Sequence, residues 1–299
     1  MDFAEIRYLE NGSKVWFKPF IRNLPETVYR KYIMAFAPVK MEEIKAYGGS
    51  GLKITFPVHK DNKDPDLELR LIKKTAAILM DKKIDIVINR EGIPFMHGFK
   101  EVTGGIAMAF FMNQIINEAA KAKGIDLSKA EVVIIDGGGI STYAAMYSVK
   151  EEVNKLWIQT ERKEKLAGMI DMIYDYSGLL AECFESVNNP IMANGDIIIN
   201  CKEDMEDFDN IFKKGAVYVD TSSIEGKSER ILKKRGDMLI LNNCRFKIGA
   251  DETDAYGAET YFLIKIKEFQ KIFETGKSKI NIENLAPLLI NGSVKVSGI

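Results

Sequence analysis

The sequence predicts an α/β protein of two domains, the second built on a parallel sheet, and three observations carry the prediction. Strand-like apolar runs alternate with helical patterns along most of the 299 residues, the order that βαβ units produce. Val132-Val133-Ile134-Ile135 places four β-branched residues in a row, as expected of a strand buried on both faces. Gly137, Gly138 and Gly139 follow at once and lead into a helix-compatible stretch from Ile140. The backbone can therefore turn sharply there, with no side chain above the turn.

A strand, a glycine turn and a helix N-terminus gather backbone N–H groups at the positive end of a helix dipole. A Rossmann domain holds a pyrophosphate in this way. The expected cofactor contacts are Gly137, Gly138, Gly139, Ile140, Ser141 and Thr142. The spacing departs from G-x-G-x-x-G, because Asp136 stands where the first glycine belongs. A carboxylate there opposes a phosphate unless it points away or bonds a loop N–H. The plain alternative is a βα turn in which Asp136 is a turn or capping residue.

Composition narrows the function classes. Forty-two basic and 43 acidic residues leave a net charge of -1, so nothing points to nucleic acid or a membrane surface as partner. Cys183, Cys201 and Cys244 lack metal-ligand spacing and read as free thiols in a reducing cytoplasm. No apolar run reaches transmembrane length. The expected partner is a small-molecule substrate, with a homodimer left open.

Taken in order, residues 1–103 form the expected α/β substrate domain. Val15-Trp16-Phe17, Ile33 to Phe36, Leu52 to Phe56 and Ile84 to Ile88 suit strands. Leu67 to Met80 has helical spacing. Thr103 to Lys123 reads as one long helix ending at Gly124, a good C-cap residue. Residues 104–254 form the expected Rossmann domain. After Val132 to Ile135 its strands are Lys155 to Gln159, Leu179 to Phe184, Asp196 to Asn200, Val217 to Asp220 and Met238 to Leu241. Residues 255–299 are expected to pack back on the first domain, beginning with an amphipathic helix over Tyr256 to Phe273.

These segments resemble the shikimate dehydrogenase-like superfamily. Residues 136–142 resemble its G-A-G-G-A-S/A-R loop. Gly51-Leu52-Lys53-Ile54-Thr55-Phe56-Pro57-Val58-His59-Lys60 is similar to its G-x-N-V-T-x-P-x-K segment, with one extra residue before the lysine. Asp196-Ile197-Ile198-Ile199-Asn200 is similar to its D-L-I-I-N strand, and Phe273-Glu274-Thr275-Gly276 to the end of its C-terminal helix. The related group of long-chain acyl-carrier-protein reductases and predicted amino acid dehydrogenases resembles other stretches: Thr103-Gly104, Ala119-Ala120-Lys121, Gly124-Ile125-Asp126 and Ala258-Glu259-Thr260. The resemblance spans most of residues 35–276 and is specific in the Rossmann half. It implies NAD or NADP as cofactor and a small hydroxy or amino acid-like substrate.

The resemblance also implies roles that this sequence fills incompletely. Lys60 stands for the family's proton-handling lysine through the one-residue slip. The partner aspartate falls at Gly104, and the serine pair that binds the substrate carboxylate has no counterpart. The acyl reductases' cysteine position is Tyr256. The acid–base types available near the expected cleft are His59, Lys60, His97 and Tyr256, of which Lys60 and Tyr256 are the catalytic candidates. Glu161 would suit the ribose diol of NAD, and Arg162 the extra phosphate of NADP. Three function classes follow: a NAD(P)-dependent oxidoreductase, a nucleotide- or metabolite-binding relative without catalysis, and an acyl reductase lacking its cysteine.

Overall fold

A computed structural model of the protein describes residues 1–10, 24–60, 64–94, 98–186, 188–203, 210–222, 224, 226–274 and 294–298. The chain divides into two compact units. One is Met1–Val102 with Leu263–Lys265, and the other is Thr103–Phe262 with Ile266–Ile299.

The first unit holds β1 (Phe3–Arg7), α1 (Glu26–Phe36), β2 (Lys40–Ala46), β3 (Gly49–Thr55), α2 (Pro65–Asp81), β4 (Ile86–Ile88) and β5 (Lys100–Val102). Its strands run in the order β2-β3-β1-β4-β5. Only β2 is antiparallel to its neighbour. Helix α2 starts as its sequence dictates. The Asp64 carboxylate accepts from the amides of Asp66 and Leu67, and Pro65 fills the first turn, where its missing N–H costs nothing. Its apolar face, with Leu71 and Leu79 fully buried, joins Ile6, Ile54, Phe56 and Val87 in the core. Gly51 pairs with Phe3 across β1 and β3, and a Cβ at Gly51 would lie 2.4 Å from the Phe3 ring.

One first-unit expectation needs correction, and one strand adds to the set. Ile33 to Phe36 is the last turn of α1, not a strand. Tyr29 and Ile33, four apart, are both buried, while Met34 and Phe36 are exposed, so the period is helical rather than alternating. Strand β1 itself was not anticipated, because Glu5 interrupts its apolar run. Glu5 is nevertheless buried, and it accepts from Arg90 Nε at 3.0 Å. The candidate strand Val15-Trp16-Phe17 lies outside the described residues.

The second unit opens with α3 (Gly105–Phe110) and α4 (Met112–Lys123). The single helix expected over Thr103 to Lys123 is broken at Phe111, which has φ −104° and ψ 18°. Tertiary packing explains the break: the buried Phe111 ring stands edge-on to Phe246 at 5.6 Å and stacks on Phe262 at 5.9 Å. Gly124 caps α4 in the left-handed region, as its position implied.

Next come β6 (Glu131–Ile135), α5 (Ile140–Val149), β7 (Lys155–Gln159), α6 (Lys163–Ser177), β8 (Ala181–Phe184), β9 (Ile197–Asn200), β10 (Val217–Asp220), α7 (Lys227–Lys234) and β11 (Leu239–Leu241). These six strands form one sheet, in the order β11-β10-β9-β6-β7-β8. Every pair is parallel. All four residues of β9 and of β10 are buried, which accounts for their apolar runs Ile197–Ile199 and Val217–Val219, each closed by one polar residue at the carboxyl end.

After the sheet come β12 (Arg245–Ile248), β13 (Asp251–Asp254), α8 (Ala255–Lys265), α9 (Lys267–Glu274) and β14 (Val294–Gly298). The helix expected over Tyr256 to Phe273 is two helices, with Ile266 extended between them at φ −119° and ψ 103°. Strand β12 pairs antiparallel with β13 and with β14 in a small sheet. In the segment expected to return to the first domain, Leu263–Lys265 cluster with the first unit and the flanking residues with the second.

Candidate functional site: the glycine loop at the switch point

In the six-stranded sheet the chain runs outward from β6 through β7 to β8 on one side, and from β9 through β10 to β11 on the other. The order therefore reverses between β6 and β9. Open α/β sheets bind ligands outside the carboxyl ends of their strands at such a point. Residues 136–139 leave β6 there and α5 begins at Ile140. The second unit is a Rossmann fold.

The loop's glycines are there for steric reasons. A Cβ at Gly137 would lie 1.7 Å from the backbone oxygen of Cys201, just beyond β9. Gly138 has φ +78°, a conformation that side-chain-bearing residues rarely adopt. Gly139 is the N-cap of α5, with no side-chain cap bond, and the first turn carries no acidic residue. The amides of Gly139, Ile140 and Ser141 thus form a helix N-terminus whose positive end no side chain of its own compensates.

Asp136 is the residue on which the loop is braced. Its carboxylate is buried, with 2% side-chain exposure. Arg162 Nη2 donates to Oδ1 at 2.8 Å and to Oδ2 at 2.9 Å, and Arg162 Nε donates to Oδ2 at 3.0 Å. The Thr160 hydroxyl donates at 2.7 Å, the Thr142 hydroxyl at 2.9 Å and the Gly138 amide at 2.8 Å. The Thr142 oxygen in turn accepts from the Gly137 amide at 3.2 Å. Arg162 Nη1 closes the ring on the Gly138 carbonyl at 3.2 Å. Burial alone would raise the Asp136 carboxyl, but the bonds from Arg162, Thr160, Gly138 and Thr142 together outweigh it and hold the group below the ordinary range. Of the alternatives open from sequence, the carboxylate bonds a loop N–H and supports the turn.

The structure therefore brings Gly137 to Thr142 together with Arg162, and adds Thr160. It gives Thr142, fully buried, and Arg162 to the loop's own bracing. Glu161 is exposed beyond the end of β7. Sequence reading missed the ion pair, since Asp136 and Arg162 are 26 residues apart. The signal lay in strand register: Ile135 pairs with Gln159, which sets Asp136 beside Thr160. A second polar seam was also missed, at the carboxyl ends of β9 and β10. Asn200 Nδ2 donates to Asp220 Oδ1 at 2.9 Å, and the Thr221 hydroxyl donates to the Asn200 carbonyl at 3.0 Å.

The acid–base candidates fall in different units. Lys60 is half-buried in the first unit, just after the β3 segment. The neighbouring His59 Nδ1 lies 3.0 Å from the Leu9 carbonyl. Tyr256 is half-buried near the start of α8 in the second unit. His97 lies outside the described residues. Burial pushes the thiols of Cys201 and Cys244 up to about 12, so neither supplies a thiolate. Among the described residues, no group of three or more His, Cys, Asp or Glu could hold a metal ion. No helix among them is long and apolar enough to cross a membrane.

Gly104 and Glu259 together order the entrance to α3. Gly104 has φ +78°, and a Cβ there would stand 3.0 Å from Ala255 Cβ and 3.1 Å from the Tyr256 nitrogen. Glu259, fully buried on α8, accepts from the amides of Thr103 at 3.2 Å, Ile106 at 3.1 Å and Ala107 at 3.2 Å. Burial drives its carboxyl upward against those amide bonds, and the balance is a value raised to about 7.

No family model matches the chain and no curated protein matches it. Similar solved structures exist. Shikimate 5-dehydrogenase from Listeria monocytogenes, in complex with shikimate and NAD, is 14% identical, with 92% of this chain and 96% of that chain covered and a TM-score of 0.37. L-tryptophan dehydrogenase from Nostoc punctiforme is 13% identical, with coverages of 97% and 88% and a TM-score of 0.37. Shikimate dehydrogenase from Aquifex aeolicus is 14% identical, with coverages of 95% and 97% and a TM-score of 0.35.

Proposed function

We propose that the chain is a NAD(P)-dependent oxidoreductase acting on a small hydroxy or amino acid-like metabolite. One observation carries the reading: a glycine loop and an uncapped helix N-terminus stand at the switch point of a parallel sheet with Rossmann order. The amides of Gly139, Ile140 and Ser141 would hold the pyrophosphate, and Glu161 the ribose diol. The bound cofactor would supply or accept a hydride. The protein's part is then to orient the substrate and to move its hydroxyl or ammonium proton, for which Lys60 and Tyr256 are the candidates.

Titration of the pure protein with NADH and with NADPH, followed by nucleotide fluorescence, tests the reading. Saturable binding of at least one is expected, and binding of neither would overturn it. Gly138→Asp should abolish binding, at a strain cost of about 1–2 kcal/mol for a side chain in the left-handed region, with circular dichroism checking that the fold persists. The new side chain enters the space a phosphate needs, beside the Arg162 guanidinium 3.5 Å from the Cβ position, and adds like charge. Unchanged affinity in that variant would make the loop purely structural.

Lys60→Ala should lower turnover roughly 100- to 10,000-fold, the usual cost of removing a general acid–base group, with cofactor affinity nearly unchanged. Retention of most turnover would remove Lys60 from the site. A nucleotide-binding relative without catalysis is the second reading. Gly104 favours it, since its positive φ and the closeness of Ala255 leave no room for the aspartate that the resembling family carries there.

A further inference from the structure

We infer that Asp136 makes this site selective for NAD(H) over NADP(H), by holding Arg162 in an ion pair that denies its guanidinium to a 2′-phosphate. The inference rests on the proposed cofactor site and names which cofactor that site takes.

The residues after the second strand of a Rossmann sheet meet the adenosine ribose. An acidic residue there accepts from the diol, and an arginine accommodates the added phosphate. Here both types are present in sequence, Glu161 and Arg162, so sequence alone leaves the choice open. The hydrogen bonds distinguish them. A guanidinium offers five N–H donors in a fixed fork. Arg162 commits its Nε–Nη2 edge to the Asp136 carboxylate, Nη2 being shared between the two oxygens, and Nη1 to the Gly138 carbonyl. A bidentate grip on phosphate needs two parallel donors from one edge of the fork. Turning the Nε–Nη2 edge to a phosphate means opening the pair and leaving the Asp136 carboxylate buried with less compensation.

Charge points the same way. Arg162 is neutralised by the carboxylate it touches, whereas Glu161 is exposed beside it. A 2′-hydroxyl can donate to Glu161, and a 2′-phosphate dianion is repelled by it. The next residue, Lys163, is exposed and brings the formal sum of Asp136, Glu161, Arg162 and Lys163 to zero, which is no attractive field for a dianion. Asp136 is thus a positioning residue. It does not meet the cofactor's ribose itself and acts through Arg162.

The experiment is a pair of fluorescence titrations, NADH and NADPH, on the wild type, Asp136→Gly and Asp136→Asn, with circular dichroism confirming the fold of each. The wild type should bind NADH at least tenfold more tightly than NADPH. Asp136→Gly, which frees the fork, should shift the ratio of the two dissociation constants at least tenfold toward NADPH. Asp136→Asn keeps the shape but removes the charge and one of the two acceptor oxygens that hold Arg162, so it should shift the ratio in the same direction and stands in if the glycine variant misfolds. A merely structural role for Asp136 would weaken both nucleotides alike and leave the ratio fixed. A wild type that prefers NADPH or binds both equally, or a ratio that stays put in folded variants, would overturn the inference while leaving the cofactor site standing. Binding of neither nucleotide by the wild type would remove the cofactor reading, and this one with it.

Discussion

Gly137→Ala is expected to destabilise the second unit by about 3 kcal/mol, at the upper end of the usual overpacking penalties. The Cβ would enter 1.7 Å from the Cys201 carbonyl oxygen, and the obstacle is backbone rather than the end of a pliable side chain. Either the glycine loop or the strand end at Cys201 must move, and that strand end is held by the bond from the Cys201 amide to the Ile135 carbonyl at 2.9 Å. For a unit of this size the loss corresponds to a fall of roughly 6–12 °C in the melting temperature. Gly168→Ala provides the contrast. Gly168 lies inside α6 with nothing within 4 Å of its Cβ position, so alanine there should stabilise by about 0.5–1 kcal/mol through helix propensity alone. Thermal melts of the two variants measure the difference, and an unchanged melt for Gly137→Ala would show that the loop yields freely.

The second large effect is on pH dependence. The Glu259 carboxyl is raised to about 7 in the folded protein, against an ordinary value of about 4.3 in the unfolded chain. The folded state therefore binds more protons than the unfolded state between those values. Its contribution to stability is fully present below about pH 4 and is lost as pH rises through 7, by roughly 4 kcal/mol in all. Asp136 acts in the opposite sense in acid. Its lowered carboxyl stabilises above about pH 4, and that contribution disappears as pH falls through the folded value. Glu259→Gln abolishes the titration and keeps one oxygen acceptor, enough for the amides of Ile106 and Ala107, while the Thr103 amide loses its acceptor at every pH. Denaturant midpoints at pH 5 and pH 8 should differ much less in the variant than in the wild type. Equal differences in the two proteins would show that Glu259 does not titrate in this range.

Legibility in the sequence followed burial. Strands β6, β7, β9 and β10 could be read because a sheet covered on both faces demands a run of three or more apolar residues in each, and Ile197-Ile198-Ile199 could hardly be anything else. Strand β1 was hidden by Glu5, whose buried charge makes sense only once Arg90, 85 residues on, is seen against it. Strands β2 and β13 were hidden for the opposite reason: Met41-Glu42-Glu43 and Asp251-Glu252 are exposed and carry no core signal. The breaks at Phe111 and Ile266 reflect packing and extended backbone that no local pattern announces. At the site, the glycines were legible because their steric need is local. The Asp136 bracing and the Glu259 amide contacts were not, because they join residues 26 and more than 150 positions apart.

The return of β14 to β12 has a consequence for how the gene for such a protein can be divided. All five strands of the first unit's sheet lie within residues 3–102, so a single break after Val102 releases that sheet whole. The second unit cannot be lifted out so simply. A fragment ending at Phe262 would keep the Rossmann sheet but lose α9 and β14. The Phe246–Val296 and Lys247–Lys295 pairings would go with them, leaving one side of β12 as an open edge for another chain to pair with. Recombination at one junction could therefore give the first unit's sheet a new partner, leaving only Leu263–Lys265 behind, while moving the second unit requires residues 294–298 to travel with it.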